Sequence, residues 1–270
     1  MGWVRLTHPF PSALDGLVVT AFTLIAGGSV AVGGLAGLAM TFLQLGIGTT
    51  NDIVDAPFDV GRKAGKPIPT GLVGRSPAVW LAVLFFAGGI GLSASLGTAI
   101  VVLSLVVIAI GLAYDLRLKG TAWSWLPFAC GIPVLPVFGW LAGAGRLEPA
   151  FGVLLPAAVA SGAALAIGNS LVDVERDRAA GRTSVAGALG ERLAVRVEGL
   201  LFVAVGVAAT WSLMAWRPGA LVLAVVAAAV VPVVGTVVSA RSRTSREGAW
   251  RLEAVGVALL GALWTAAVLV

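Results

Sequence analysis

The stretch that decides the fold is residues 46–69, GIGTTNDIVDAPFDVGRKAGKPIP, which lies between two long apolar segments. Carboxylates beside a hydrophobic segment are costly to bury, so this stretch forms either a solvated loop with salt bridges or a functional site. The kind of protein that contains this stretch follows from the composition on either side. The stretch holds three aspartates followed by three cations, namely Asp52, Asp55, Asp59, Arg62, Lys63 and Lys66.

The composition is that of an integral membrane protein. Of the 270 residues, 59% are hydrophobic and only 11% are charged, and the mean hydropathy is +1.00. Soluble domains carry about a quarter charged residues, so this chain lacks the polar surface that a soluble fold needs. Apolar runs recur along the whole length, and we therefore expect a single membrane-embedded domain over residues 1–270.

Nine apolar stretches are long enough to cross a bilayer, which takes about 20 helical residues. The runs are continuous and lack the alternation of a transmembrane β-barrel, so they predict an all-α, polytopic fold with nine helices around a central cavity. Pro133 and Pro136 lie inside the fifth stretch, where a bilayer helix tolerates a kink. The predicted spans are 13–31, 32–50, 77–96, 98–114, 125–143, 151–171, 195–215, 219–239 and 252–269.

The basic residues indicate the orientation in the membrane. With the N-terminus inside, the inner loops hold every lysine and arginine except Arg146, Arg196 and Arg217, and Arg196 lies at the edge of an inner loop. By the positive-inside rule, the N-terminus and the aspartate-rich loops of this multi-pass protein are expected in the cytoplasm. The net charge of +5 is spread over membrane loops and gives no support for nucleic-acid binding or for an obligate protein partner. The lone histidine, His8, is expected to be an interfacial residue.

A second aspartate-rich segment repeats the first. Residues 169–177, NSLVDVERD, have the spacing N-x-x-x-D-x-x-x-D, which also occurs at 51–59 in NDIVDAPFD. Each copy follows an apolar run and leads into a Gly-Arg pair, and four predicted spans separate the two copies. The sequence therefore predicts an internal pseudo-repeat of the kind that places a membrane protein's site at the repeat interface.

The four-residue spacing predicts that each motif forms a stripe along one helix. Four residues turn an α-helix by about 400°, so positions i, i+4 and i+8 lie near one line and rise about 6 Å per step. Asp52 and Glu175 lie off these stripes, and Pro57 is expected to end the second helix before Asp59. The stripes consist of Asn51, Asp55 and Asp59 in one copy and of Asn169, Asp173 and Asp177 in the other.

Two stripes of oxygen atoms indicate a metal–diphosphate site. Bare carboxylates repel one another and are costly to bury near hydrocarbon, so a cation is expected between them. Mg²⁺ prefers carboxylate, amide and water oxygens, and it commonly links a few carboxylates to substrate phosphates. The matching substrate is a diphosphate on a long apolar tail, and nearby cations suit its phosphate oxygens. These cations are Arg62, Lys63, Lys66 and Arg182.

The sequence resembles the UbiA-type intramembrane prenyltransferase superfamily over nearly its whole length. The resemblance lies in nine spans, in NDIVDAPFD with GKPIPTG downstream, and in NSLVDVERD after the sixth span. A third element, YDLRLK at 114–119, resembles the family's Y-x-x-x-x-K pattern, although Asp115 within it has no assigned role. Two departures concern the second motif, which has Asn169 where the family often has Asp and Gly181 where an acidic residue is sometimes found.

The resemblance implies that two Mg²⁺ ions bind the diphosphate of an isoprenoid and that the prenyl group passes to a lipophilic or aromatic acceptor. It also implies that Lys119 joins the diphosphate-binding cations. Because aromatic faces stabilise a carbocation by about 0.5–2 kcal/mol each, Tyr114, Trp125 and Phe128 are candidates for the prenyl or acceptor pocket. The implied catalytic residues are Asp55, Asp173, Tyr114 and Lys119. The implied metal ligands are Asn51, Asp52, Asp55, Asp59, Asn169, Asp173 and Asp177.

Two other functions stay open at this point. An intramembrane terpene cyclase would use the same site for diphosphate and Mg²⁺, but it would trap the carbocation with the substrate's own double bonds. A non-catalytic lipid transporter or scaffold would explain the repeat and the topology. It explains less readily why two matching aspartate motifs are present.

Overall fold

A computed structural model describes residues 2–60, 65–216, 219 and 221–269. In these ranges the chain is α-helical and contains no β-strand, as predicted. A π-helical turn, Tyr114–Leu118, continues α5, and a 3-10 turn, Arg243–Ser245, precedes α12. The helices are α1 (Gly2–Leu6), α2 (Pro9–Ile25), α3 (Val30–Asp59), α4 (Arg75–Ala94), α5 (Thr98–Ala113), α6 (Leu126–Gly131), α7 (Val134–Ala144), α8 (Phe151–Ala179), α9 (Val185–Leu189), α10 (Glu191–Trp216), α11 (Leu221–Arg241) and α12 (Arg246–Leu269).

Eight helical segments of the described chain are long and apolar enough to cross a membrane, which confirms the all-α, polytopic prediction. The first predicted span, 13–31, corresponds to the shorter helix α2, whose 17 residues extend about 25 Å. This helix ends early because Gly27, with φ +85°, adopts the left-handed conformation that stops helices. The crossing segments are α3, α4, α5 with its π turn, α6 with α7, α8, α10, α11, and α12 with its 3-10 turn.

Helix α3 is longer than predicted, since it continues through Pro57 to Asp59. The prediction that Pro57 ends this helix is therefore wrong. Proline has no N–H, so the carbonyl of Ile53, four residues earlier, cannot accept its usual helical hydrogen bond. Nη1 of Arg75 donates to this carbonyl at 3.1 Å, which supplies a partner from outside the helix.

The fifth predicted span consists of two helices that meet at Pro133. Helix α6 ends at Gly131 and α7 begins at Val134, so the kink expected here is a full interruption. The chain also divides at this point into two compact units. The first unit is Met1–Arg117 with Val134–Leu147, and the second is Leu118–Pro133 with Glu148–Val270.

In the first unit, α3 packs against α2, α4, α5 and α7. Its contact with α2 is close because glycines meet threonines. A Cβ atom on Gly16 would lie 2.0 Å from Oγ1 of Thr41, and one on Gly37 would lie 2.0 Å from Oγ1 of Thr20. The motif end of α3 rests on a buried apolar cluster. Its members are Leu6, Ile53, Val73, Ala78 and Ala82.

In the second unit, α8 packs against α6, α9, α10 and α12. A Cβ atom on Gly162 would lie 2.3 Å from the carbonyl oxygen of Phe128, so α6 and α8 approach through this glycine. Trp125 packs against the apolar cluster that supports the motif end of α8. The buried members of this cluster are Ile167, Leu171, Val174, Val185, Ala186 and Ala194.

Candidate active site

The first aspartate motif forms the predicted stripe on a single helix. Asn51, Asp55 and Asp59 all lie in α3, at spacings of four residues. Asp55 is buried with 6% of its surface exposed, while Asn51 and Asp59 are half-buried. The stripe therefore presents one amide and two carboxylates along the last two turns of α3.

The side chain of Asn51 is oriented by Asp115. Nδ2 of Asn51 donates to Oδ1 of Asp115 at 2.7 Å, and Asp115 is only 3% exposed. Because its amide nitrogen is the donor in this bond, the carbonyl oxygen of Asn51 is the atom that can serve as a metal ligand. Asp115 lies in the π-helical turn Tyr114–Leu118, a type of structure that is frequent at functional sites. The sequence pattern alone assigns no role to Asp115, although this residue lies inside the YDLRLK element.

Asp52 lies off the stripe, as predicted, and is 2% exposed. Its Oδ1 atom accepts a hydrogen bond from Nζ of Lys66 and lies 2.8 Å from Nε2 of His8. Its Oδ2 atom is buried without a hydrogen-bond partner among the residues that the structure describes. Asp52 thus links the segment before α2 and the loop after α3 to the first motif, and its role as a metal ligand stays a prediction.

His8 contacts the first motif through Asp52, and its interfacial position stays a prediction. Its φ of 48° is the only positive value at a non-glycine position in the described chain. Such backbone strain persists only where the surroundings hold it, and it is concentrated at functional sites. Here the bond to Asp52 and the bond from Oγ of Ser12 to the His8 carbonyl, 3.0 Å long, fix the conformation.

The second motif also forms its predicted stripe, since Asn169, Asp173 and Asp177 all lie in α8. Asp173 forms an ion pair with Arg176, one turn further along the helix. Glu175 is off the stripe and pairs with Arg243, so its carboxylate is directed to another cation.

A group of arginines holds the end of α8 around Glu191. Oε2 of Glu191 accepts from Arg246 at 2.9 Å and lies 3.2 Å from Arg243, and Arg178 lies 3.9 Å from Oε1. Arg246 is 7% exposed, and its Nη1 atom also donates to the carbonyl of Leu171 at 3.1 Å. The helix that carries the second motif is thereby tied to the start of α10 and to the start of α12.

Two predicted diphosphate-binding cations lie in neighbouring loops of the second unit. The amide of Thr183 donates to the carbonyl of Gly120 at 3.1 Å, which joins the loop after Lys119 to the loop of Arg182. The amide of Arg182 also donates to the carbonyl of Asp177 at 2.9 Å, so this loop adjoins the second motif. Lys66 belongs to the first motif through Asp52, and Arg62 and Lys63 lie outside the described residues.

The three candidate pocket aromatics differ in their surroundings. Tyr114 is half-buried at the start of the π turn, directly before Asp115. Trp125 packs against the apolar cluster under the second motif, and Phe128 lies where α6 meets α8. Both of these have packing contacts, and the pocket role of all three stays a prediction.

The donor set fits Mg²⁺ held together with a diphosphate. In the described part of the chain, no three His, Cys, Asp or Glu side chains form a group that could hold a metal ion by themselves. Mg²⁺ needs no such closed group, because it keeps several waters and binds through one or two carboxylates plus substrate phosphates. The buried carboxylate of Asp55, the oriented oxygen of Asn51 and the orphaned Oδ2 of Asp52 are donors of the right type.

Comparison with known proteins gives the family. The model of the UbiA prenyltransferase family matches residues 15–268. A digeranylgeranylglyceryl phosphate synthase from Methanopyrus kandleri is 30% identical over 269 residues, 97% of this chain and 96% of the relative. The enzyme of the same name from Thermococcus gammatolerans is 30% identical over 217 residues, 76% of this chain and 75% of the relative.

Solved structures share the fold. The structure of a UbiA homolog from Archaeoglobus fulgidus bound to GPP and Mg²⁺ superposes with a TM-score of 0.75 at 17% identity. The superposition covers 96% of this chain and 99% of that one. With the family match over residues 15–268, these findings identify the chain as a member of the UbiA prenyltransferase family.

Proposed function

We propose that this protein transfers a prenyl group from an isoprenyl diphosphate to a prenylated glyceryl phosphate, in a reaction that depends on Mg²⁺. The observation that carries the proposal is a pair of oxygen-rich stripes, on α3 and α8, in a chain that matches a digeranylgeranylglyceryl phosphate synthase over nearly its whole length. The name of that relative describes a glyceryl phosphate with two geranylgeranyl groups. An acceptor of this class already carries one prenyl group and is therefore lipophilic rather than aromatic.

Each stripe would supply the ligands of one Mg²⁺ ion. Asn51 would contribute its oxygen with Asp55 and Asp59, and the second set would be Asn169, Asp173 and Asp177. Bound Mg²⁺ would neutralise the charge that develops on the leaving diphosphate. The Oδ1 atom of Asp52 has a further task, because it holds Lys66, and a lysine fixed in this way is positioned for phosphate oxygens, while Oδ2 stays a candidate metal ligand.

The reaction breaks the allylic C–O bond of the donor, and both electrons leave with the diphosphate. The hydroxyl oxygen of the glyceryl phosphate then forms an ether bond to the allylic carbon and releases its proton. Lys119 and Arg182, which lie in joined loops beside the second motif, suit the phosphate groups of donor or acceptor. A carbocation at this stage has to be kept from water, which would quench it. We also propose that these loops face the cytoplasm, as the basic residues indicate.

The test uses the purified protein in lipid nanodiscs with labelled geranylgeranyl diphosphate, Mg²⁺ and geranylgeranylglyceryl phosphate. The expected result is a diether lipid, detected by mass spectrometry, with one pyrophosphate released per product. Cyclic hydrocarbon formed without acceptor would identify a terpene cyclase instead. Transfer only to an aromatic acceptor would refute the acceptor class, and the absence of pyrophosphate release would favour a transporter or scaffold.

A further inference from the structure

A proline interrupts the hydrogen bonds of α3 inside the first motif. Pro57 lies between Asp55 and Asp59, and it has no N–H to donate to the carbonyl of Ile53. The proline ring also crowds this carbonyl, and such crowding normally kinks or ends a helix. Without a second donor, the turn that carries Asp59 would be free to leave the line of Asn51 and Asp55.

Arg75 supplies the missing donor. Its Nη1 atom lies 3.1 Å from the carbonyl oxygen of Ile53, and Arg75 is the first residue of α4. This helix is held close to α3, since a Cβ atom on Gly46 would lie 2.6 Å from the ring of Phe86. Ile53 is itself 7% exposed, so its surroundings are mostly protein.

The second motif receives an arginine at the same register. Nη1 of Arg246, the first residue of α12, donates to the carbonyl oxygen of Leu171. Leu171 lies two residues before Asp173, just as Ile53 lies two residues before Asp55. In α8, however, the residue four positions after Leu171 is a glutamate, which has an N–H. Only α3 needs its arginine to replace a helical hydrogen bond.

We propose that Arg75 is a positioning residue, which carries α3 through Pro57 and so keeps Asp59 in line with Asn51 and Asp55 for metal binding. The inference rests on the proposed function, in which this stripe binds Mg²⁺. Arg75 acts through the Ile53 carbonyl and does not need to touch the substrate. It is an exposed residue, so its replacement leaves no cavity.

A double-mutant cycle with Pro57 tests this role. Pro57→Ala restores an N–H at position 57, which can bond to Ile53, so the loss of Arg75 should matter only while Pro57 is present. In metal-free Arg75→Gln, hydrogen exchange of the amides of Phe58 and Asp59 should become about tenfold faster. With saturating inorganic pyrophosphate present, the Mg²⁺ concentration for half-maximal thermal stabilisation should rise about tenfold. Both values should return to the wild-type level in Arg75→Gln/Pro57→Ala.

Two further variants serve as controls. Arg75→Lys retains a donor and should show a smaller effect than Arg75→Gln. Arg251→Gln removes an exposed arginine of α12, which pairs with Glu247, and should change neither readout.

The inference is overturned if Arg75→Gln exchanges at the wild-type rate, or if the faster exchange persists in the double variant. It is also overturned if Pro57→Ala restores slow exchange but the Mg²⁺ concentration for half-maximal stabilisation is the same in Arg75→Gln as in the wild type. If Mg²⁺ together with pyrophosphate does not raise the thermal stability of the wild-type protein, the proposed function fails. Hydrogen exchange then still decides whether Arg75 completes the helix.

Discussion

Asp115 is expected to set the affinity for Mg²⁺ by controlling how Asn51 faces the metal. Its Oδ1 atom accepts from Nδ2 of Asn51 at 2.7 Å, and hydrogen bonds to charged groups contribute about 1.5–3 kcal/mol. In Asp115→Ala the amide of Asn51 is free to rotate and to present nitrogen instead of oxygen. The free energy of that bond corresponds to about a 10- to 150-fold rise in the Mg²⁺ concentration at half-saturation.

The assay is a Mg²⁺ titration of pyrophosphate release by the purified variants, with thermal unfolding as a measure of folding. Asp115→Asn keeps an oxygen acceptor of the same shape but loses its charge, so its half-saturation should rise about 5- to 10-fold, less than in Asp115→Ala. Leu116→Ala, at an exposed position of the same π turn, should have no effect. Wild-type half-saturation in Asp115→Ala would refute the reasoning, and equal damage in Asp115→Asn would show that charge rather than the hydrogen bond matters.

Three further predictions concern the stripes, the tyrosine and the helix packing. Asp55→Asn and Asp173→Asn should each lower Mg²⁺-dependent pyrophosphate release by about 10²–10³-fold without loss of thermal stability, and near-normal turnover would contradict the metal site. Tyr114→Phe should retain more turnover than Tyr114→Ala if the ring face steadies the carbocation, whereas equal losses would point to the hydroxyl. Gly162→Ala would place a Cβ atom 2.3 Å from the backbone carbonyl oxygen of Phe128 and should destabilise the protein by about 1–3 kcal/mol in thermal unfolding. In Gly91→Ala the added Cβ atom meets nothing within 4 Å, so the thermal stability should not fall.

The helical architecture could be predicted because it depends on local properties of the sequence. Continuous apolar runs require helices in a bilayer, and the four-residue spacing of the motifs matches the helical period. The prediction that Pro57 ends α3 is wrong because the outcome depends on a residue far away in the sequence. A proline normally ends a helix, but here a side chain 22 positions away in the sequence supplies the bond that proline cannot make.

The surroundings of the site were less predictable, because its polar partners are far apart in the chain. Asp52 meets His8 across 44 positions, and Asn51 meets Asp115 across 64. No periodicity encodes such pairs. The available signal was weaker: an aspartate directly after an apolar span has to find a partner or water, and Asp115 occupies such a position.

The two motif helices are long enough to hold charged side chains at the edge of a bilayer and apolar turns within it. Helices α3 and α8 have 30 and 29 residues, which corresponds to about 44–45 Å, whereas the hydrocarbon core of a bilayer is about 30 Å thick. In each helix the aspartate motif occupies the last turns, so an upright helix would hold its carboxylates in the headgroup region while its apolar turns remain in hydrocarbon. The half-buried carboxylates of Asp59, Asp173 and Asp177 can be hydrated at that depth before substrate binds, which lowers the cost of placing them there, whereas Asp55 is buried in protein. An isoprenyl diphosphate has the same division between a charged head and an apolar tail, and in the proposed reaction it would reach the stripes without leaving the membrane.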